Sequence, residues 1–252
     1  MFPALIGALS LLWLLVLPAA AAELSAAPPF FSHPFVAGGA KLAGPVAARG
    51  AVVWLHGSYN PASEARPDDP AWLDAVRERG YDLWHFNRPL RPDPLAAGAA
   101  GLIEGLTALR RAGYRWVVVA GFSRGAFIAL SALARPDLAD TVLAISPAAH
   151  GRRVERRPEA LAAFAERVQA GQATRFALVM LHDDAWDPGP AQRAEMARRS
   201  VPGQAGMVLL VDRPAGITDH MGSFSPAFAV RFGACLAAFA DGAAGADACA
   251  ER

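Results

Sequence analysis

Residues 116–134 read WVVVAGFSRGAFIALSALA. A run of β-branched and apolar residues, 116–120, stops at Gly121-Phe122-Ser123-Arg124-Gly125, and residues 126–134 then carry apolar side chains at helical spacing. The stretch predicts a buried strand, a sharp turn with Ser123 at its tip, and a helix running back along the strand. Glycine at 121 and 125 has a steric purpose in so tight a turn, because a side chain at either flank would strike the neighbouring elements. Ser123 would thereby project its hydroxyl above the sheet.

The same alternation extends in both directions. Apolar runs at 51–55, 81–86, 141–145, 175–181 and 207–211 read as further buried strands. Between and after them, residues 71–79, 95–111, 158–170, 191–199 and 226–240 read as helices. Strands separated by helices of this length pair in parallel through crossover connections, so the expected architecture is α/β, a three-layer α/β/α sandwich with a mostly parallel sheet. Residues 23–50 are rich in Ala, Pro and Gly and have room for one short strand at most. Residues 88–94 read as a loop between elements. The basic segment 147–157 reads as a loop over the carboxyl edge of the sheet that forms a small lid with the next helix.

Composition narrows the chemistry. The 252 residues carry 24 Lys plus Arg against 23 Asp plus Glu, a formal charge of +1, which offers no one-signed field for a nucleic acid. Hydrophobic residues make up 54% of the chain, enough to fill a core. The single lysine, Lys41, lies in a Gly/Ala segment, which argues against Walker-type nucleotide hydrolysis and pyridoxal chemistry.

A serine at its ordinary pKa is a poor nucleophile and needs a histidine to take its proton and a carboxylate to orient that histidine. Of the six histidines, His220 is the best placed, after the last predicted strand and before the terminal helix. His56 opens the loop His56-Gly57-Ser58 after strand 51–55 and reads as structural; His33, His85, His150 and His182 lie elsewhere in the pattern. For the acid, Asp183, Asp184 and Asp187 compete after strand 175–181; Asp184 is preferred for its turn context, with Asp187 second. The backbone N–H groups of Ser58 and Arg124 are candidates to hold a developing oxyanion. The Arg124 side chain has two further readings, a solvated cation or an attractor of an anionic substrate group. Trp186 and Tyr59 are candidates to line the pocket, whereas Trp54, Trp72, Trp84 and Trp116 read as core. His182 with the neighbouring aspartates lacks a second His or Cys ligand at useful spacing, so no metal is expected.

Residues 1–22 contain no charged side chain, and the apolar run 5–17 is followed by Ala20-x-Ala22 before Glu23. This reads as a cleaved signal peptide, with a retained anchor as the alternative because the n-region carries no Lys or Arg. Residues 23–252 then form a single domain in a secreted or periplasmic protein. Cys235 and Cys249 are placed to form either a disulfide in that oxidising compartment or two free thiols.

With its His-Gly loop, its G-x-S-x-G turn and the chain order Ser, Asp, His, the stretch 51–240 resembles the α/β-hydrolase fold superfamily, with a weaker likeness to its dienelactone hydrolase and prolyl oligopeptidase-like members. The resemblance implies Ser123 as nucleophile, Asp184 as acid, His220 as base, and the Ser58 and Arg124 amides as the oxyanion hole. It further implies an exported serine hydrolase of a small ester or related acyl substrate, with no cofactor and no membrane association after signal cleavage. Acyl transfer, thioester or peptide cleavage by the same residues, or a non-catalytic binding role, are the alternatives.

Overall fold

A computed structural model describes residues 31–32, 42–58, 69–86, 88, 93–171, 173–186, 189–199, 207–245 and 248–249. The leader 1–22, Lys41, Tyr59 and Asp187 lie outside the described residues. Strands β1 (Phe31–Ser32), β2 (Gly50–Leu55), β3 (Tyr81–Phe86), β4 (Val117–Phe122), β5 (Thr141–Ile145), β6 (Arg175–Met180) and β7 (Val208–Asp212) form one sheet. Their order is β1-β3-β2-β4-β5-β6-β7. The short β1 runs antiparallel to β3, and every other pair is parallel.

The order reverses at β2, which lies between β3 on one side and β4 on the other. In an open parallel sheet the chain leaves the carboxyl ends of two such strands in opposite directions, which opens a crevice there. The loops at that point are His56-Gly57-Ser58 after β2 and Ser123 after β4.

Period-two alternation sorts the strand side chains into two cores. Val53, Leu55, Val117 and Val119 meet the helices α2 (Leu95–Ala112), α3 (Arg124–Ala129), α4 (Arg157–Ala170) and α5 (Pro190–Arg199) on one face. Val52, Trp54, Val118 and Phe122 meet α1 (Trp72–Arg77) and α6 (Pro226–Ala240) on the other. The α/β/α sandwich expected from the sequence is the fold observed. Trp54, Trp72 and Trp84 are buried core residues, while Trp116 is only partly buried and donates from its indole N–H to the Ala240 carbonyl at 2.9 Å.

Three differences from the expected elements have physical reasons. Strand β4 continues to Phe122, because Gly121 and Phe122 pair with Ala144 and Ile145 of β5 and their backbone groups have ladder partners there. The helix after the turn is α-helical only to Ala129 and tightens into a 3₁₀ stretch over Leu130–Ala134. The lid expectation needs correction. Helix α4 buries Ala160, Phe164 and Val168 against the core, so it forms part of the sandwich, and only the segment before it borders the crevice.

Candidate active site

Ser123 sits at the tip of the turn between β4 and α3 with φ 55° and ψ −121°, in the region non-glycine residues rarely adopt. The flanking glycines make this geometry possible. A Cβ on Gly121 would lie 2.7 Å from the Ala126 nitrogen, and one on Gly125 would lie 2.1 Å from the Leu55 carbonyl oxygen, closer than real side chains approach. The turn is held by the Ser123 N–H, which donates to the Ile145 carbonyl at 2.9 Å, and by the Ser123 carbonyl, which accepts from Ala148 N–H at 3.1 Å.

The loops after β6 and β7 bring two distant residues to this serine. Ser123 Oγ lies 2.8 Å from His220 Nε2. His220 Nδ1 lies 2.8 Å from both Asp184 oxygens. A carboxylate only accepts, so Nδ1 carries the proton and Nε2 is left to accept from the serine hydroxyl. The Asp184 side chain is fully buried and also accepts from the Trp186 amide at 2.9 Å. Asp184 is therefore the described carboxylate that meets His220, while Asp187 falls outside the described residues. Among the described residues no group of His, Cys, Asp and Glu is arranged to hold a metal.

A cavity of about 500 Å³ opens over Ser123, lined among others by Ser58, Phe122, Ala148, Ala149, Trp186 and Met221. The Trp186 ring stacks beside His220 at 5.7 Å between centroids, and the Arg152 guanidinium lies 4.8 Å over the Trp186 ring. Phe122 packs against the same imidazole at 4.7 Å between centroids. Two aromatic rings thus restrict the rotation of His220. Nearby His150 pairs with Glu159 at 3.3 Å; burial, with the positive charge of Arg156, pushes its pKa down.

Ser58 and Arg124, the two candidate oxyanion donors, both line the cavity. Arg124 opens α3, so its amide is one of the first-turn donors with no helical acceptor. Its side chain is neither a simple solvated cation nor an open anion site. Arg124 Nε lies 3.1 Å from Asp93 Oδ2, Nη2 donates to the Asp93 carbonyl, and Nη1 donates to the Ala149 carbonyl at 3.0 Å. His56 Nδ1 lies 2.6 Å from the Gly57 carbonyl, in keeping with its structural reading.

Sequence reasoning passed over Arg88, Asp93 and Arg193. The buried Arg193 donates to the Pro147 carbonyl, just before the cavity residues Ala148 and Ala149. The only signal for Arg88 was its place, two residues past a strand buried along its whole length, where a cation must find acceptors inside the protein.

No protein-family model and no curated protein matches this chain. Solved structures do. The chain is similar to the Pyrococcus furiosus esterase Pf2001, with TM-score 0.56 and 16% identity over 77% of this chain and 83% of that one. It is similar to mouse alpha/beta hydrolase domain-containing protein 10, with TM-score 0.52 and 12% identity over 74% of this chain and 87% of that one. Brefeldin A esterase, a bacterial homologue of human hormone-sensitive lipase, gives TM-score 0.51 and 15% identity over 85% and 72%. At these identities the likeness concerns the fold, and the fold is that of the α/β hydrolases.

Proposed function

We propose that this α/β-hydrolase-fold protein is a serine hydrolase that cleaves a small ester through a covalent acyl-enzyme. The observation that carries this reading is the hydrogen-bonded line Ser123–His220–Asp184, with Nε2 2.8 Å from the serine oxygen and Nδ1 held by a buried carboxylate. That the structural neighbours include proteins named as esterases supports the ester class. The likeness to them is one of fold, so the chemistry is argued from the site.

In this reading His220 Nε2 accepts the hydroxyl proton as Ser123 Oγ bonds to the ester carbonyl carbon. The carbonyl oxygen gains the negative charge, and the Ser58 and Arg124 amides donate to it; oxyanion donors of this kind each contribute about 3 kcal/mol of barrier lowering. The tetrahedral adduct then collapses. The ester C–O bond breaks, the alkoxide takes the proton from His220 and leaves as an alcohol, and the acyl group stays on Ser123. Water, deprotonated by His220, attacks the acyl carbon, releasing the acid and restoring the serine. No step calls for a cofactor.

The cavity suits a small substrate. Ala148 and Ala149 leave space on one side, and Trp186 and Met221, both partly exposed, offer apolar surface at the mouth. Export is part of the proposal: residues 1–22 read as a signal, and the Cys235–Cys249 disulfide fits an oxidising compartment.

Turnover of p-nitrophenyl acetate, butyrate and octanoate by the purified protein, beside Ser123→Ala, tests the reading. Hydrolysis of the short esters that is lost in the variant supports it. Absence of turnover on all three, with the protein folded, points to another acyl class or to a binding role.

A further inference from the structure

One buried cation is aimed at the back of the oxyanion site. Arg88 follows β3, and its side chain is fully buried. Its Nη2 donates to the His56 carbonyl at 2.8 Å and to the Gly57 carbonyl at 3.1 Å. The same Gly57 oxygen is 2.6 Å from His56 Nδ1, which donates to it in the Nδ1–H tautomer, so the 3.4 Å approach of Arg88 Nη2 to that nitrogen is then a contact without a hydrogen bond. The Gly57 carbonyl therefore takes two hydrogen bonds, one of them from a guanidinium.

The Gly57 carbonyl and the Ser58 N–H belong to one peptide unit. In a planar trans amide they point in opposite directions, so fixing the oxygen on one side fixes the N–H on the other. Ser58 lines the cavity above Ser123. Hydrogen bonds to the carbonyl end also polarise the amide and strengthen its N–H as a donor. The other oxyanion donor is tied to the same cation. Arg88 Nε lies 3.4 Å from Asp93 Oδ1, and Asp93 Oδ2 lies 3.1 Å from Nε of Arg124, the residue that carries the second amide. A chain of charge, Arg88–Asp93–Arg124, thus links the two segments that carry the donors.

We propose that Arg88 is a positioning residue for the oxyanion site, orienting and polarising the Gly57–Ser58 amide so that its N–H is aimed before substrate arrives. The proposal rests on the reading of Ser123 as nucleophile, and fluorophosphonate labelling of the wild-type protein separates the two. A folded wild type that takes no label overturns both; a labelled wild type leaves Arg88 to be judged on its own variants.

Those variants are Arg88→Lys, which keeps the charge without the fork, and Arg88→Ala. In each, the maximal acylation rate with p-nitrophenyl acetate is expected to fall roughly 100-fold while half-saturation moves less than about threefold. Affinity for a trifluoromethyl ketone, whose hemiketal oxygen occupies the oxyanion position, is expected to fall by the same factor as the rate. Methylguanidinium at millimolar concentration should restore at least about tenfold in Arg88→Ala and nothing in Arg88→Lys. Asp93→Asn leaves the buried arginine in place and serves if neither replacement folds; about a tenfold rate loss with a matching loss of ketone affinity is expected. A folded variant with unchanged acylation, or a rate loss with no loss of ketone affinity, overturns the proposal.

Discussion

His182 pairs with Thr218 in a single parallel bridge, and each stands two residues before a member of the hydrogen-bonded array, Asp184 and His220. The bridge lies beyond the last rungs of the β6–β7 ladder, and the Asp219 amide donates to the His182 carbonyl across it at 2.8 Å. Immediately after each partner the chain turns through a left-handed residue, Asp183 at φ 55° and Asp219 at φ 60°. Backbone pairing, more than the side chains themselves, sets the gap that the carboxylate and imidazole close.

Asp219 gives the first prediction. A side chain at positive φ costs on the order of 1 kcal/mol, which glycine avoids. Asp219→Gly is therefore expected to be more stable than Asp219→Ala by about 1 kcal/mol in urea unfolding. Equal stabilities would mean that the turn relaxes and that the bridge does not impose it.

Asp184 and His220 give the second. Asp184→Asn preserves shape but removes the charge that holds the Nδ1–H tautomer, and esterase turnover is expected to fall by roughly 10⁴-fold in a folded protein. His220→Ala is expected to lose at least as much, about 10⁴-fold or more. Asp187→Ala is expected to stay within about tenfold of wild type. The reverse ranking of the two aspartates would move the acid to Asp187.

The Cys235–Cys249 bond ties the tail to α6, with a sequence separation of 14. Closing a loop of this size is worth about 3 kcal/mol in the chain-entropy account, or roughly 6–12 °C of Tm for a domain of this size. Reductant is expected to lower the Tm of the wild type and leave that of the double Cys→Ser variant unmoved. An unchanged wild-type Tm would show that the tail adds nothing to the cooperative unit.

Tyr81 and Tyr114 predict the response to alkali. Burial, then hydrogen bonds to Asp241 and Asp82 respectively, raise both phenol pKa values well above the ordinary range. The native state thus keeps protons that the unfolded chain releases near pH 10. The stabilisation is full below about pH 10 and drains away as the pH rises toward the native values. Tyrosinate absorbance at 295 nm from these two residues is expected to grow only with unfolding, and Tyr81→Phe to make the loss of stability above pH 10 shallower. Ionisation of both in the folded protein would contradict this.

Much of the fold could be read because buried parallel strands announce themselves. The runs at 81–86 and 141–145 match β3 and β5 residue for residue, and the helix at 226–240 matches α6. Ser123 was legible from its flanking glycines, which answer to steric contacts within and beside the turn. The meeting of Asp184 with His220 depends on the His182–Thr218 bridge between residues 36 apart, which no local pattern records. Arg88 was hidden for a similar reason: its acceptors are backbone carbonyls of another loop, which leave no mark in a sequence, and Asp93 meets the Arg88 and Arg124 guanidiniums only through the fold. The lid misreading arose because the loop and helix at 147–170 are locally polar, while only three α4 residues, Ala160, Phe164 and Val168, carry the face buried on the core.

The most direct test of the central claim is covalent capture of Ser123 by a fluorophosphonate, read as intact mass and mapped by peptide mass spectrometry. The account predicts one adduct per chain, located on Ser123, formed slowly or not at all in His220→Ala and absent in Ser123→Ala. A folded wild-type protein that takes no label, or takes it at another residue, would contradict the assignment of Ser123 as the nucleophile.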